Sequence, residues 1–160
     1  EKLVVRGVAH NSNEAKLTLR RVPDRPGVVA DIFSCLAESG INVDVIVQNQ
    51  SEDGTTDVSF TVGRGDLAEA FRLVEKIGIE IGADRWEKDD SIAKVSIVGV
   101  GMRAHAGVAA AMFRALQKAN INIQMITTSE IKVTCVISRE DVESAVQALH
   151  DDIDLEEPTK

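Results

Sequence analysis

The chain has 160 residues, enough for one domain or two very small ones, and long enough to bury a real core. Its 44% hydrophobic and 28% charged residues are ordinary for a globular protein, and a net charge of −8 argues against nucleic acid or an anionic membrane, which reward basic patches. With no Tyr, one Trp and four Phe it has no platform for stacking bases, and no apolar run approaches the ~20 residues of a membrane span.

Taken in order, Lys2 to Ala9 reads as a strand and His10 to Ala15 as a polar loop. Lys16 to Val22 alternates Leu17 and Leu19 with Thr18 and Arg20, the pattern of a half-buried strand. Val22-Pro-Asp-Arg-Pro-Gly-Val28 then turns the chain into a helix. Pro26 is expected at the first helical position, where its missing N–H goes unused, and Gly27 permits close backbone approach. The helix, Val28 to Ser39, places Val29, Ile32, Phe33 and Leu36 on one face, and Gly40 ends it. Ile41 to Gln50 reads as a strand with Val43, Val45 and Val47 facing one way and Asp44, Ile46 and Gln48 the other. The Asp-Gly turn at Ser51 to Gly54 leads into Thr55 to Val62, which closes a hairpin. Asp66 is expected to cap a second helix carrying Leu67, Ala70, Phe71, Val74 and Ile77. Gly78 is expected to stop it, with Glu80 to Trp86 as a short strand. The order is β-α-β-β-α-β, the ferredoxin-like unit.

From Ser91 the pattern repeats: a strand at Ala93 to Val98, a glycine-containing turn at Gly99 to Ala106, and a helix at Gly107 to Ala119. Strands at Ile121 to Thr127 and Ile131 to Ile137 follow, then a helix at Asp141 to His150. The repeat is legible residue by residue at one constant offset. Gly27 and Val28 recur as Gly107 and Val108, Phe33 and Leu36 as Phe113 and Leu116, and Ile41 and Asn42 as Ile121 and Asn122. The expected fold class is therefore α+β, two ferredoxin-like domains in tandem with antiparallel sheets and helices on one face. The second copy lacks a final strand, while the first is complete without Leu3 to Ala9, so the N-terminal strand is expected to complete the second sheet. The expected domains are residues 16–90, residues 1–15 plus 91–150, and an acidic, solvated tail over 151–160.

No catalytic or metal-binding pattern stands out. His10, His105 and His150 are scattered, and neither HExxH nor CxxC occurs, so no metal is expected. Gly99-Val-Gly101 reads as a turn, and Glu130 has no acid–base partner by spacing. Cys35 and Cys135, far apart in apolar segments, read as buried free thiols, and with no signal peptide the expected compartment is the cytoplasm. Asp24 either terminates its turn or offers a carboxylate beside a helix N-terminus, where anions bind. Asn42 and Asn122 either tie their helix–strand corners or bind, and Gln48 is either a structural amide or lines a surface. Asp24, Asn42 and Gln48, if gathered around one helix N-terminus, would make a small-molecule site, and an anion site beside a carboxylate suits a free amino acid.

The tandem βαββαβ units and the Pro-Asp-Arg-Pro-Gly-Val turn resemble ACT domains, the amino-acid-binding regulatory modules. Val45-Ile-Val-Gln-Asn49, Thr55-Thr-Asp-Val-Ser-Phe60, Ala93 to Met102 and Asn122 to Glu130 further resemble the regulatory region, or beta subunit, of aspartate kinase. The resemblance runs from about Leu3 to His150. It implies that lysine, threonine or both act as feedback inhibitors, and that two chains pair the first ACT domain of one with the second of the other. It also implies an effector loop of Asp24, Pro26, Gly27, Val28 and Val29, contacted by Gln48, with backbone groups of Asn122 and Ile123 supplied by the other domain. Ser129 and Glu130 match positions near the effector in lysine-responsive members, and Asn42 with Val43 would serve a second, weaker site. Met102-Arg-Ala-His-Ala-Gly107 departs from the family's Ser-His-Pro-Gly, which puts binding at the second turn in doubt. By the same resemblance the kinase domain is a partner, ATP and Mg belong to that absent domain, and this chain holds no cofactor and phosphorylates nothing alone. Starting at Glu1, it reads as a separate small subunit or an excised C-terminal region. The rival readings are an ACT scaffold that only dimerises another protein and, less well supported by its residues, a stand-alone enzyme.

Overall fold

The computed structural model describes residues 4–100 and 106–153. The chain divides into two compact units, Asn13–Asp90 and Glu1–Ser12 with Ser91–Lys160. Strand β1 (Val4–Pro23) and strand β4 (Arg85–Val100) each contribute residues to both. The first unit adds helix α1 (Val28–Glu38), strands β2 (Val43–Gln50) and β3 (Thr55–Gly63) and helix α2 (Leu67–Ile81). The second adds helix α3 (Ala106–Lys118), strands β5 (Met125–Thr128) and β6 (Lys132–Ser138) and helix α4 (Val142–Asp152). The strand order is β2-β3-β1-β4 in the first unit and β1-β4-β6-β5 in the second. β3 runs antiparallel to both β1 and β2, and β6 to both β4 and β5.

The expected loop at His10 to Ala15 is strand, because β1 continues without a break. Its polar residues suggested a turn, but β1 has β3 on one side and β4 on the other, and the ladder rather than apolar alternation holds its backbone. Val8 packs against the core of the second unit.

α1 starts at Val28 as its periodicity suggests, two residues after the proline expected at its first position. Gly27 takes the N-cap position at φ 91, a left-handed conformation that favours glycine, and Pro26 stays in the turn before it. Val28, Ile32 and Leu36 are buried against Leu17, Leu19 and Phe60, and Phe33 meets Phe60 edge to face with centroids 5.3 Å apart.

Gly78 does not stop α2. The helix runs on through Ile81 and ends at Gly82, which adopts φ 81, so residues 80 and 81 are helical and β4 begins only at Arg85. Gly78 instead lets Trp86 approach, since a Cβ there would lie 2.8 Å from Trp86 Cε3. Gly78→Val is therefore expected to destabilise the unit by about 1–3 kcal/mol through overpacking, read as a lower urea midpoint of Trp86 fluorescence. Asp66 does precede α2, but through a 3-10 turn at Arg64–Asp66, and its side chain makes no capping bond.

β2 also departs from simple alternation. Its register against β3 slips between Val43 and Ile46, a bulge in which the Val45 N–H donates to Thr61 Oγ1 at 3.1 Å. Val43 thus packs on the helix-side core, while Val45 is buried outside that cluster, so the three valines do not share one face. Past the bulge, Ile46 is registered with the core residue Phe60 and takes its face, yet remains 50% exposed at the sheet edge.

The second unit repeats this arrangement over a core that includes Ile97, Met112, Leu116, Cys135 and Ile137. Its strand after α3 begins at Met125, later than Ile121, although the Gln124 N–H already bonds the Val136 carbonyl at 2.8 Å. α4 continues to Asp152 and Ile153 is buried in the core, so the chain is not a solvated tail from residue 151. Both cysteines are free; Cys135 is buried, which pushes its thiol up to about 12, whereas Cys35 is only half-buried. His10 lies on β1 and His150 on α4, both exposed, and His105 with most of the expected second turn lies outside the described residues.

Candidate functional site

The turn from Pro23 to Gly27 is held from several sides. At its base β1 carries a bulge between Leu19 and Val22, where Arg21 sits at φ 54 and its N–H donates to Asp57 Oδ1 at 2.9 Å. The Arg21 guanidinium pairs with Asp53 at 3.0 Å, and the Asp24 N–H donates to the Gly54 carbonyl at 3.0 Å, docking this turn on the β2–β3 hairpin turn. Thr55 donates from its hydroxyl and its N–H to Asp53 Oδ1, and these bonds, with the Arg21 charge, hold the Asp53 carboxyl below its ordinary value. On the neighbouring residue, Arg20 bonds Glu87 at 3.3 Å and Asp57 at 3.2 Å. The Glu87 bond raises the Arg20 pKa and lowers that of Glu87.

Asp24 stands exposed at the tip, and its Oδ2 accepts a hydrogen bond from Gln50 Nε2 at 2.9 Å. Gln48 lies two residues back on the same face of β2 and is likewise exposed. Beside Asp24, α1 begins at Val28 with no side chain capping its N-terminus, and the first N–H groups of a helix have no intrahelical carbonyl to bond. Val28 is buried and Val29 half-buried. This end of the unit therefore offers an anion-attracting helix N-terminus, one carboxylate and two amides. A groove of about 470 Å³ between α1 and α2 lies outside this set; Arg25, Asp31, Cys35 and Lys76 line it, and neither Asp24 nor β2 does.

The other expected residues are distributed differently. Asn42 and Val43 lie past the C-terminus of α1, at the far end of β2 from Gln50, roughly 20 Å along the strand. They do not join Asp24. Asn122 is exposed and Ile123 packs against the second unit's core, at the corresponding corner after α3. Ser129 Oγ accepts the Lys132 N–H at 3.2 Å and the Ser129 N–H donates to the Lys132 carbonyl at 2.8 Å, so this residue closes the β5–β6 turn; Glu130 is exposed on it.

Sequence patterns do not single out Gln50 or the Arg20, Arg21, Asp53 and Asp57 set as part of the site. The signal available was the Gln48-Asn-Gln50 spacing, which puts both amides on one strand face, and an Arg-Arg pair interrupting a regular alternation.

Comparison with known proteins matches residues 17–78 to an ACT domain family and residues 95–153 to a second one. An aspartate kinase of Stutzerimonas stutzeri is 52% identical over 99% of this chain, which spans only 38% of that protein's length. Among solved structures, one of aspartokinase alpha and beta subunits is 46% identical, with a TM-score of 0.87 over 93% of this chain and 98% of the other. The ligand-free regulatory subunit of aspartate kinase from Thermus thermophilus is 38% identical, with a TM-score of 0.90 over 94% and 99%. Two ACT units built on one ferredoxin-like plan, aligned end to end with such subunits, leave one conclusion: the chain belongs to the tandem ACT-domain regulatory family of aspartate kinase.

Proposed function

We propose that this chain is the amino-acid sensor of an aspartate kinase, binding lysine, threonine or both and passing that state to a kinase domain or subunit as feedback inhibition. The observation that carries the reading is the exposed Asp24 carboxylate beside the uncapped start of α1. An effector's ammonium is complementary to the first and its α-carboxylate to the second. Gln48, on the same face of β2 as Gln50, would be a further contact, and Asn122 and Ile123 of another chain's second ACT domain would complete the pocket. Ser129 and Glu130 are proposed to lie near the effector, and Asn42 with Val43 to serve a weaker second site. The kinase partner is supported by the relative solved as alpha and beta subunits. Homodimerisation is supported by exposed apolar residues at the two outer strands, Ile46 on β2 and Ile126 on β5. Phosphoryl transfer is proposed to reside in that kinase partner and not in this chain. A coupling of about 1–3 kcal/mol between effector site and kinase suffices for such regulation.

The same exposed edges favour the rival reading, a dimerisation scaffold without an effector. Calorimetric titration with L-lysine and L-threonine separates the two. The sensor reading expects saturable heat with a Kd of about 1 μM–1 mM for one or both, equivalent to ~4–8 kcal/mol. Neither heat nor a thermal shift with any amino acid would leave only the scaffold.

A further inference from the structure

The Asp24–Gln50 contact joins residues from different elements and has a definite polarity: Gln50 Nε2 donates and Asp24 Oδ2 accepts, at 2.9 Å. Accepting this bond commits the carboxylate oxygen to a neutral amide. A primary ammonium is a stronger donor to a carboxylate than an amide, because its charge assists the bond. The carboxylate has two oxygens and about four lone-pair sites, but the amide is tethered at Oδ2 at high effective concentration, so an ammonium approaching that oxygen competes with it. The turn cannot easily withdraw from β2, since the Asp24 N–H is fixed on Gly54 and Arg21 on Asp53. The second repeat does not carry the pair: the residues at the matching positions are Ala104 and Glu130.

We infer that Gln50 is an internal counter-ligand, a neutral stand-in that occupies the Asp24 carboxylate until the ammonium of a free amino acid displaces it, and so sets the concentration at which the site loads. This rests on the reading of Asp24 as the ammonium-recognising group. Gln50 then sets affinity by opposing binding, in contrast to a residue that contacts the effector and favours it. The ammonium replaces one N–H donor with another, and the released amide returns to water.

The test uses the whole chain, with Gln50→Met, Asp24→Ala and the double variant, titrated calorimetrically with L-lysine and L-threonine. Methionine keeps the length of the side chain and removes its donor. Gln50→Met is expected to lower Kd roughly two- to fivefold for the amino acid that binds, the scale of one exposed hydrogen bond. Asp24→Ala is expected to raise Kd, and the double variant to match Asp24→Ala alone, because without the carboxylate Gln50 has nothing to compete for. If Asp24→Ala weakens binding while Gln50→Met leaves it unchanged or weakens it, the counter-ligand is overturned and the site reading stands. If the wild-type chain binds and Asp24→Ala binds equally well, the reading of Asp24 falls and takes the counter-ligand with it. Thermal melting of each variant identifies any that fails to fold, and Gln50→Val then replaces Gln50→Met as a strand residue with no side-chain donor.

Discussion

Phe60→Ala is expected to cost the Asn13–Asp90 unit about 3–5 kcal/mol. Phe60 is fully buried, registered between Leu17 on β1 and Ile46 on β2, and its ring meets Phe33 of α1 edge to face. Truncation loses the transfer energy of the ring, leaves a cavity between sheet and helix, and removes an aromatic pair worth about 0.5–1.5 kcal/mol beyond its area. Set against the ~5–15 kcal/mol that holds a typical domain together, the loss leaves little reserve. The readout is direct. The sole tryptophan, Trp86, packs against this same cluster, so its fluorescence in urea follows this unit, while circular dichroism follows both. A midpoint shift worth less than about 1 kcal/mol would show that the cavity collapses at small cost and that Phe60 is not the keystone of the fold.

Asp24→Ala is expected to weaken effector binding by about 1–3 kcal/mol, roughly 5- to 150-fold in Kd, through the loss of a charge-assisted contact. The side chain is exposed and its described hydrogen bond is to the equally exposed Gln50, so folding stability should move by no more than about 0.5 kcal/mol. Binding and folding thus separate at this position, which a calorimetric titration paired with a melting curve can check. An unchanged Kd with intact folding would return Asp24 to the role of a turn residue.

Much of the architecture was legible because it is written in local periodicities. The helix faces at Val28, Ile32 and Leu36, the left-handed Gly40 and the constant offset of the repeat all follow from short-range chemistry. The features that local patterns misplace depend on partners distant in the chain. Gly78 and Gly82 look alike as helix stops, and only Trp86 lying over the first assigns the cap to the second. His10 to Ala15 looks like a loop until the strands on either side of β1 are known. The β2 bulge is hidden because Val43, Val45 and Val47 alternate perfectly in sequence, and the side chain of Thr61 that accepts the Val45 N–H belongs to another strand. At the site, the Asp24 turn was readable from its prolines and glycine. Spacing places Gln50 on the strand face of Gln48, but its bond to Asp24 is not readable, because a hydrogen bond across the sheet end joins residues distant in the chain.

The two repeats run through the same sequence of buried, half-buried and exposed positions from Ile41 to Gln50 and from Ile121 to Glu130, although Val45 is replaced by Met125, Gln48 by Thr128 and Gln50 by Glu130. Apart from Val47 and Thr127, the two stretches also keep the same order of apolar and polar side chains, so the shared pattern of exposure follows polar class and not the particular residue. In engineering terms the outward positions of each decamer are the ones open to rewriting. Either can be rewritten there while the inward residues keep the frame, so that recognition chemistry in one half can be redesigned without renegotiating the fold of that half.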